Sequence, residues 1–164
     1  MFQHTHIGSL NSFRKGSLEV FADDPKHYAF SNIFDVANLA APFERIAVTK
    51  NHQYVTEVMK VDGRSPWFAS AHDEFALVMD GEVTFDFVVL SSMKTLPAGT
   101  EGAVQFDQDP GVGRVGTVKA RRGHLVLLPA GRGYSLNATH PAVALIQTLA
   151  GLLTQERWAD ICSQ

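Results

Sequence analysis

Hydrophobic and polar positions alternate along much of the chain with a period of two, which places every second side chain on the same face of a strand. Valine, isoleucine and aromatic residues are common in these stretches, as is typical of sheets. Short strands at near-even spacing favour an all-β fold, an antiparallel barrel or sandwich. The strands are predicted over residues 45–49, 54–59, 75–79, 82–89, 117–120, 125–128 and 142–147.

Turn residues separate these predicted strands. Asp80-Gly81 lies between an apolar run and an alternating run, which predicts a β-hairpin. Pro129-Ala130-Gly131 predicts a second hairpin. Residues 96–116 are rich in glycine and proline and predict a long loop. Its Gly111-x-Gly113-x-x-Gly116 run matches a dinucleotide fingerprint only superficially, because the strand before it and the helix after it are missing.

The two ends of the chain lack the alternation. Residues 1–43 predict an irregular N-terminal arm, whose large apolar side chains either pack on their own domain or cover a partner. Residues 44–153 form the predicted barrel. Residues 154–164 predict a short C-terminal helix, since Trp158 and Ile161 are three positions apart and Thr154 can cap the first turn.

Composition and charge exclude several classes of protein. The 164 residues suit one domain, with 45% hydrophobic and 19% charged residues. The net charge of −3 provides no basic surplus for nucleic acid. No apolar run approaches the ~20 residues that a membrane helix needs. The single cysteine, Cys162, cannot form an internal disulfide, which suits the cytoplasm.

Two segments resemble the two sequence motifs of the cupin superfamily. The first has Glu74 followed, after six residues, by Gly81, and the second has Gly123-x5-Pro129-x-Gly131. The resemblance implies a cupin-type antiparallel β-barrel of the jelly-roll kind. It also implies that the two motifs face each other across that barrel.

The metal ligands of a cupin are mostly missing from these motifs. In a metal-binding cupin, histidines and one glutamate of the first motif and a histidine of the second hold a divalent ion. The three histidine positions here carry Phe68, Ser70 and Tyr134, and only Glu74 remains. We therefore predict a cupin with no metal and no catalytic residue of its own. The degenerate pocket is predicted to comprise Phe68, Ser70, His72, Glu74 and Tyr134.

Two alternatives remain at this stage. His72 and Glu74 would share one face of a strand, and a Tyr134 phenolate with His52 or His124 would complete a shifted metal site. Such a chain would be a self-sufficient metal-dependent cupin enzyme. Alternatively, a metal-free barrel would bind a small aromatic molecule or a sugar at a mouth lined by Phe68, Phe85 and Tyr134.

Over its whole length the sequence resembles the small subunit of two-subunit hydroquinone dioxygenases of aromatic catabolism. The stretches that carry the resemblance are residues 7–10, 15–20, 65–68, 70–75, 120–124 and 156–162. In that family a larger subunit holds Fe(II) and opens the ring of hydroquinone with O2 to give 4-hydroxymuconic semialdehyde. The resemblance implies a metal-free supporting subunit that assembles with the larger one as a heterotetramer.

This resemblance gives the apolar arm a role, because obligate interfaces are hydrophobic and rich in aromatic anchors. The predicted anchors against the larger subunit are Phe13, Leu18, Phe21, Tyr28, Phe30 and Trp67.

Overall fold

The structure is a computed structural model that describes residues 9–11, 19–20, 28–30 and 32–158. Strands make up most of this part of the chain, and one helix precedes the larger strands. The elements are β1 (Glu19–Val20), β2 (Tyr28–Phe30), α1 (Ile33–Leu39), β3 (Arg45–Asn51), β4 (Tyr54–Arg64), β5 (Trp67–Ser70), β6 (Glu74–Asp80), β7 (Glu82–Leu90), a 3-10 turn (Ser92–Lys94), β8 (Ala103–Phe106), β9 (Gly111–Arg121), β10 (Leu125–Leu128), β11 (Arg132–Leu149) and β12 (Thr154–Gln155).

The long strand β11 organises the sheet. Its second half pairs antiparallel with β4 on one side and β6 on the other. Its first half pairs with β7, and Tyr134 pairs with Phe68 of β5. Further strands extend these pairs: β10 lies beyond β6, β9 beyond β7, β8 beyond β5, and β3, β2 and β1 beyond β4. The sheet curls around a core of inward side chains, which confirms the predicted all-β class.

The predicted hairpin at Asp80-Gly81 is wrong. Strands β6 and β7 do not pair with each other, because both lie along β11 in succession. Gly81 adopts a φ of +76° at the corner between them, and a Cβ there would lie 2.7 Å from the Cβ of Ala142. The turn residues supply the positive φ that the corner needs, but pairing with a third strand decides where the chain goes.

Strands β9 and β10, which pair with β7 and β6, pass the same corner. β9 and β10 are also consecutive, and between them the Gly123 amide donates to the Val78 carbonyl at 2.8 Å. The turn at Pro129-Ala130-Gly131 likewise closes no hairpin, because β10 pairs with β6 whereas the start of β11 pairs with β7. The turn carries the chain from one half of the curled sheet to the other.

The predicted loop over residues 96–116 contains regular structure. β8 lies within it, and β9 begins at Gly111, so the glycine run forms a strand rather than a loop. The backbone of β7 supplies its hydrogen-bond partners, with register shifts at Phe87/Val88 and Val89/Leu90. Local composition does not reveal such a partner strand.

Part of the predicted irregular arm is a helix that packs on its own domain. The Asn32 side chain caps α1 by accepting from the amides of Phe34 and Asp35. Phe34 and Val36 are buried against the outer face of the sheet. Of the predicted anchors, Phe13, Leu18 and Phe21 and the side chains of Tyr28 and Phe30 lie outside the described residues, whereas Trp67 begins β5 and is half-buried.

The C-terminal helix does not begin at Thr154 as predicted. Thr154 and Gln155 form β12, which runs parallel to β3 at Arg45 and Ile46. The pairing with β3 and a side-chain hydrogen bond from Thr154 to Glu57 hold this segment extended. Residues 159–164, which include most of the predicted helix, lie outside the described residues. No helix in the described part of the chain is long and apolar enough to cross a membrane.

Candidate functional site

A buried arginine lies inside the curled sheet, at the pocket that the motifs predicted. Arg45 is the first residue of β3, and its side chain is 2% exposed. Its Nε donates to Oε2 of Glu57 at 2.5 Å, and its Nη2 donates to Oε1 of Glu74 at 2.7 Å. Its Nη1 donates to the Tyr134 hydroxyl at 2.9 Å. One guanidinium therefore joins β3, β4, β6 and β11.

The remaining oxygens of this network also have partners. The Tyr134 hydroxyl donates to Oε2 of Glu74 at 2.5 Å, and the Thr154 hydroxyl donates to Oε1 of Glu57 at 2.6 Å. All four carboxylate oxygens are thus hydrogen-bonded by protein groups. A buried ion pair is stable only when its charges are satisfied in this way.

The guanidinium contacts three of the four cupin ligand positions. It bonds Glu74 and Tyr134, and its Cζ lies 5.8 Å from the ring centroid of Phe68, within the range of a cation–π contact. The rings of Phe68 and Tyr134 are 5.8 Å apart, because these residues face each other between β5 and β11. A cation of the protein itself therefore lies where these side chains converge.

Ser70 and His72 do not join this group. The buried Ser70 hydroxyl donates to the backbone carbonyl of His72. β6 begins at Glu74, so His72 lies before the strand and does not share a strand face with Glu74. Nε2 of His72 lies 2.9 Å from Oγ1 of Thr148, and its buried Nδ1 has no hydrogen-bond partner among the described residues. The residues of the predicted pocket therefore do not all meet. Phe68, Glu74 and Tyr134 lie around Arg45, whereas Ser70 and His72 make other contacts.

The electrostatics keep the arginine charged and the tyrosine neutral. Burial would lower the pKa of Arg45, but Tyr134, Glu74 and Glu57 raise it, and the pKa ends well above its usual value. Burial, together with Glu74, also raises the pKa of Tyr134 well above its usual value despite the opposing Arg45. The Tyr134 phenolate of the shifted metal site is therefore disfavoured at neutral pH.

These residues do not fit a divalent cation. A metal ion beside Glu74 would share its place with the Arg45 guanidinium and be repelled by it. Within the described ranges, no group of three histidine, cysteine, aspartate or glutamate side chains is placed to hold a metal.

The barrel interior is filled with side chains. Phe68, Phe85 and Tyr134, the predicted lining of a binding mouth, are each at most 1% exposed. A shallow cleft of about 260 Å³ lies outside them and reaches Arg45 and Phe68 between Phe43 and Leu153.

Three residues of the network, Arg45, Glu57 and Thr154, were not predicted as site residues. Glu57 did carry a signal in the sequence, because it shares an inward face of β4 with Val55, Met59 and Val61. A charged residue on an otherwise apolar strand face needs a buried partner. The sequence does not indicate that this partner is Arg45 on the neighbouring strand.

Solved structures relate the chain to known proteins. Hydroquinone 1,2-dioxygenase from Sphingomonas sp. TTNP3, with 4-hydroxybenzoate bound, is 41% identical over 98% of this chain and 98% of that chain, with a TM-score of 0.84. Hydroquinone 1,2-dioxygenase PnpCD, in complex with Cd²⁺ and 4-hydroxybenzonitrile, is 44% identical over 98% of this chain and 97% of that chain, with a TM-score of 0.83. The chain belongs to the hydroquinone 1,2-dioxygenase family. No family model and no curated protein matches it.

More distant structures share only the fold with this hydroquinone 1,2-dioxygenase family chain. A cupin-2 domain protein from Shewanella frigidimarina NCIMB 400 is 15% identical over 71% of this chain and 89% of that chain, with a TM-score of 0.51. A chain of PnpCD in complex with Fe³⁺ is 11% identical over 73% of this chain but only 32% of that chain, with a TM-score of 0.55. The predicted cupin fold is thus confirmed.

Proposed function

We propose that this chain is the metal-free cupin subunit of a heteromeric, Fe(II)-dependent hydroquinone dioxygenase. The assembly, a cytoplasmic heterotetramer, converts hydroquinone and O2 to 4-hydroxymuconic semialdehyde. Ring cleavage takes place in a larger subunit that holds the iron, and this chain supports that subunit.

The observation that carries the proposal is the position of Arg45. Its guanidinium bonds Glu74, the one cupin ligand that the sequence retains, and Tyr134, which replaces a histidine. Both oxygens of Glu74 are used by these two partners. A carboxylate whose oxygens are both committed, beside a fixed positive charge, is a poor ligand for a second cation.

The comparisons support a second, longer chain. One chain of PnpCD matches this chain over 97% of its own length. Another chain of PnpCD matches this chain over only 32% of its own length. An enzyme with two chains of such different length, both with this fold, provides a larger subunit in which a metal site can be kept. This chain then has no need of one.

The other candidate functions find less support. A shifted metal site would need His72 near Glu74, but His72 bonds Thr148 instead. A small-molecule site inside the barrel would need space, but large side chains fill the interior.

The test compares the chain purified alone with the chain co-expressed with the larger subunit. We expect iron well below one atom per chain and no ring cleavage for the chain alone, and both iron and oxygen uptake with hydroquinone for the complex. Metal content is measured by mass spectrometry. Stoichiometric iron together with ring cleavage by the isolated chain would overturn the proposal.

A further inference from the structure

One edge of the curled sheet exposes apolar residues beside unpaired backbone groups. Within the described residues, β9 pairs only with β7 and β10 pairs only with β6. The far side of both strands therefore presents N–H and C=O groups that no described strand pairs with, and we call this surface the open edge (Gly111–Arg121 and Leu125–Leu128). Its exposed apolar residues are Val112, Val115, Val118, Leu125 and Leu127.

An edge of this kind is unusual for a chain that works alone. Except for Gly111, Gly116 and Ala120, every residue of β9 is exposed. Long edge strands with exposed apolar side chains pair readily with other chains, so proteins normally shorten or cover them. Such an edge is also a common receptor for a partner strand.

Two glycines of β9, which flank its register shifts against β7, are required neither by a positive φ nor by crowding. A Cβ built on Gly113 or Gly116 would meet no atom of the described residues within 4 Å, and neither residue has a positive φ. Gly81, by contrast, is required by both its φ and its contact with Ala142. Glycine inside a strand often marks a bulge, as at these register shifts, or a place where another backbone approaches closely. The open edge thus has room for a second chain.

The described part of the arm does not cover the open edge. β1 and β2 extend the sheet beyond β3, whereas β10 ends the opposite side beyond β6. Leu10 packs with the helix on the outer face and donates its amide to Asp80.

The charge of the open edge disfavours a second copy of this chain. Residues 111–124 contain Arg114, Lys119, Arg121 and Arg122 and no aspartate or glutamate. Glu82 and Asp86 of β7 bond three of these side chains, which nevertheless stay more than 60% exposed. In a two-fold symmetric strand pair, the same basic segment would face itself. A partner strand with acidic side chains fits better.

We propose that the open edge is the docking surface for the larger subunit of the dioxygenase. It receives an edge strand of that subunit in which apolar and acidic side chains alternate. This inference rests on the proposed function and adds the surface through which that function is organised.

The test places a negative charge on the open edge. We expect Val115→Glu and Leu127→Glu to weaken the affinity for the larger subunit by about tenfold or more, as for residues central to an interface. The matched controls are Leu39→Glu and Leu152→Glu, which alter side chains that are 61% and 98% exposed outside β9 and β10. The controls should keep the wild-type affinity. Circular dichroism of each isolated variant checks that the fold is retained.

Amide hydrogen exchange provides a second measurement that needs no variant. Amides of residues 112–118 that point away from β7 should exchange fast in the isolated chain and slowly in the complex. Protection in the isolated chain would overturn the proposal, because another part of this chain or a second copy would then cover the edge.

The two proposals fail in different ways. A complex that forms normally with both edge variants would exclude the open edge and leave the proposed function intact. A wild-type chain that never binds the larger subunit would instead exclude the proposed function.

Discussion

At the scale of single residues, Arg45 is the cation that bonds two buried carboxyl groups. Glu57 and Glu74 are each at most 1% exposed, and both depend on this guanidinium. Removing one member of a buried ion pair leaves the other charge uncompensated, which is much more costly than losing a surface pair. The stability of the barrel therefore depends strongly on this one side chain.

We expect Arg45→Ala to lower the free energy of unfolding by ~3–5 kcal/mol, as for other broken buried pairs. Arg45→Lys should lose less, because it keeps the charge but not the fork that reaches three partners. Urea denaturation measures both variants. Arg132→Ala, which removes an exposed guanidinium, serves as the control and should change stability by less than ~0.5 kcal/mol. Equal effects of the two alanine variants would contradict a structural role for Arg45.

At the scale of elements, the corner at Gly81 is the feature that lets β6 and β7 pair with β11 one after the other. Gly81 and Gly63 have nearly the same positive φ, +76° and +77°. A Cβ on Gly81 would lie 2.7 Å from that of Ala142, whereas a Cβ on Gly63 would meet nothing within 4 Å. A substitution at Gly63 therefore measures backbone strain alone, whereas the same substitution at Gly81 adds steric crowding.

Gly63→Ala should cost about 1 kcal/mol, the usual penalty of the left-handed region. Gly81→Ala should cost ~1–3 kcal/mol more, because the added methyl group overpacks the corner. The double variant Gly81→Ala/Ala142→Gly should recover part of that difference, which a double-mutant cycle measures from thermal or urea unfolding. Equal losses at Gly81 and Gly63 would show that Ala142 does not restrict the corner.

The sequence predicted the strands much better than their pairing. Alternation located β3, β4 and β7, because burying one face of a strand imposes a period of two, and short apolar runs located β6 and β10. It did not show that β6 and β7 share β11, since the Asp80-Gly81 turn specifies a local φ and not a distant partner. The glycine run of β9 was interpreted as a loop for the same reason.

The sequence also predicted the candidate site only in part. Motif spacing pointed to Phe68, Glu74 and Tyr134, which the fold brings together. It missed Arg45, which lies 29 positions before Glu74 and outside both motifs. His72 was grouped with Glu74 on the assumption that both lie on one strand, but β6 begins only at Glu74.

At the scale of the whole molecule, the buried network and the open edge belong to different parts of the sheet. Arg45 joins β3, β4, β6 and β11 in the interior, whereas the open edge lies on β9 and β10. Within the proposed assembly, the interior then serves stability and the edge serves docking. A change in the network should therefore affect how long the assembled enzyme survives, without changing the reaction that it performs.

Glu74→Gln tests this separation in the assembled enzyme. Arg45 and Tyr134 donate to different oxygens of Glu74, and the amide nitrogen that replaces one of them cannot accept, so we expect the chain to lose about 1–3 kcal/mol of stability. The complex should keep its kcat per iron and its KM for hydroquinone while its half-life on heating shortens. Glu101→Gln, on an exposed segment, should leave both kinetics and half-life unchanged. A Glu74→Gln complex that is fully assembled and loaded with iron, yet has a lower kcat, would place Glu74 in the catalytic machinery and contradict a supporting role for this chain.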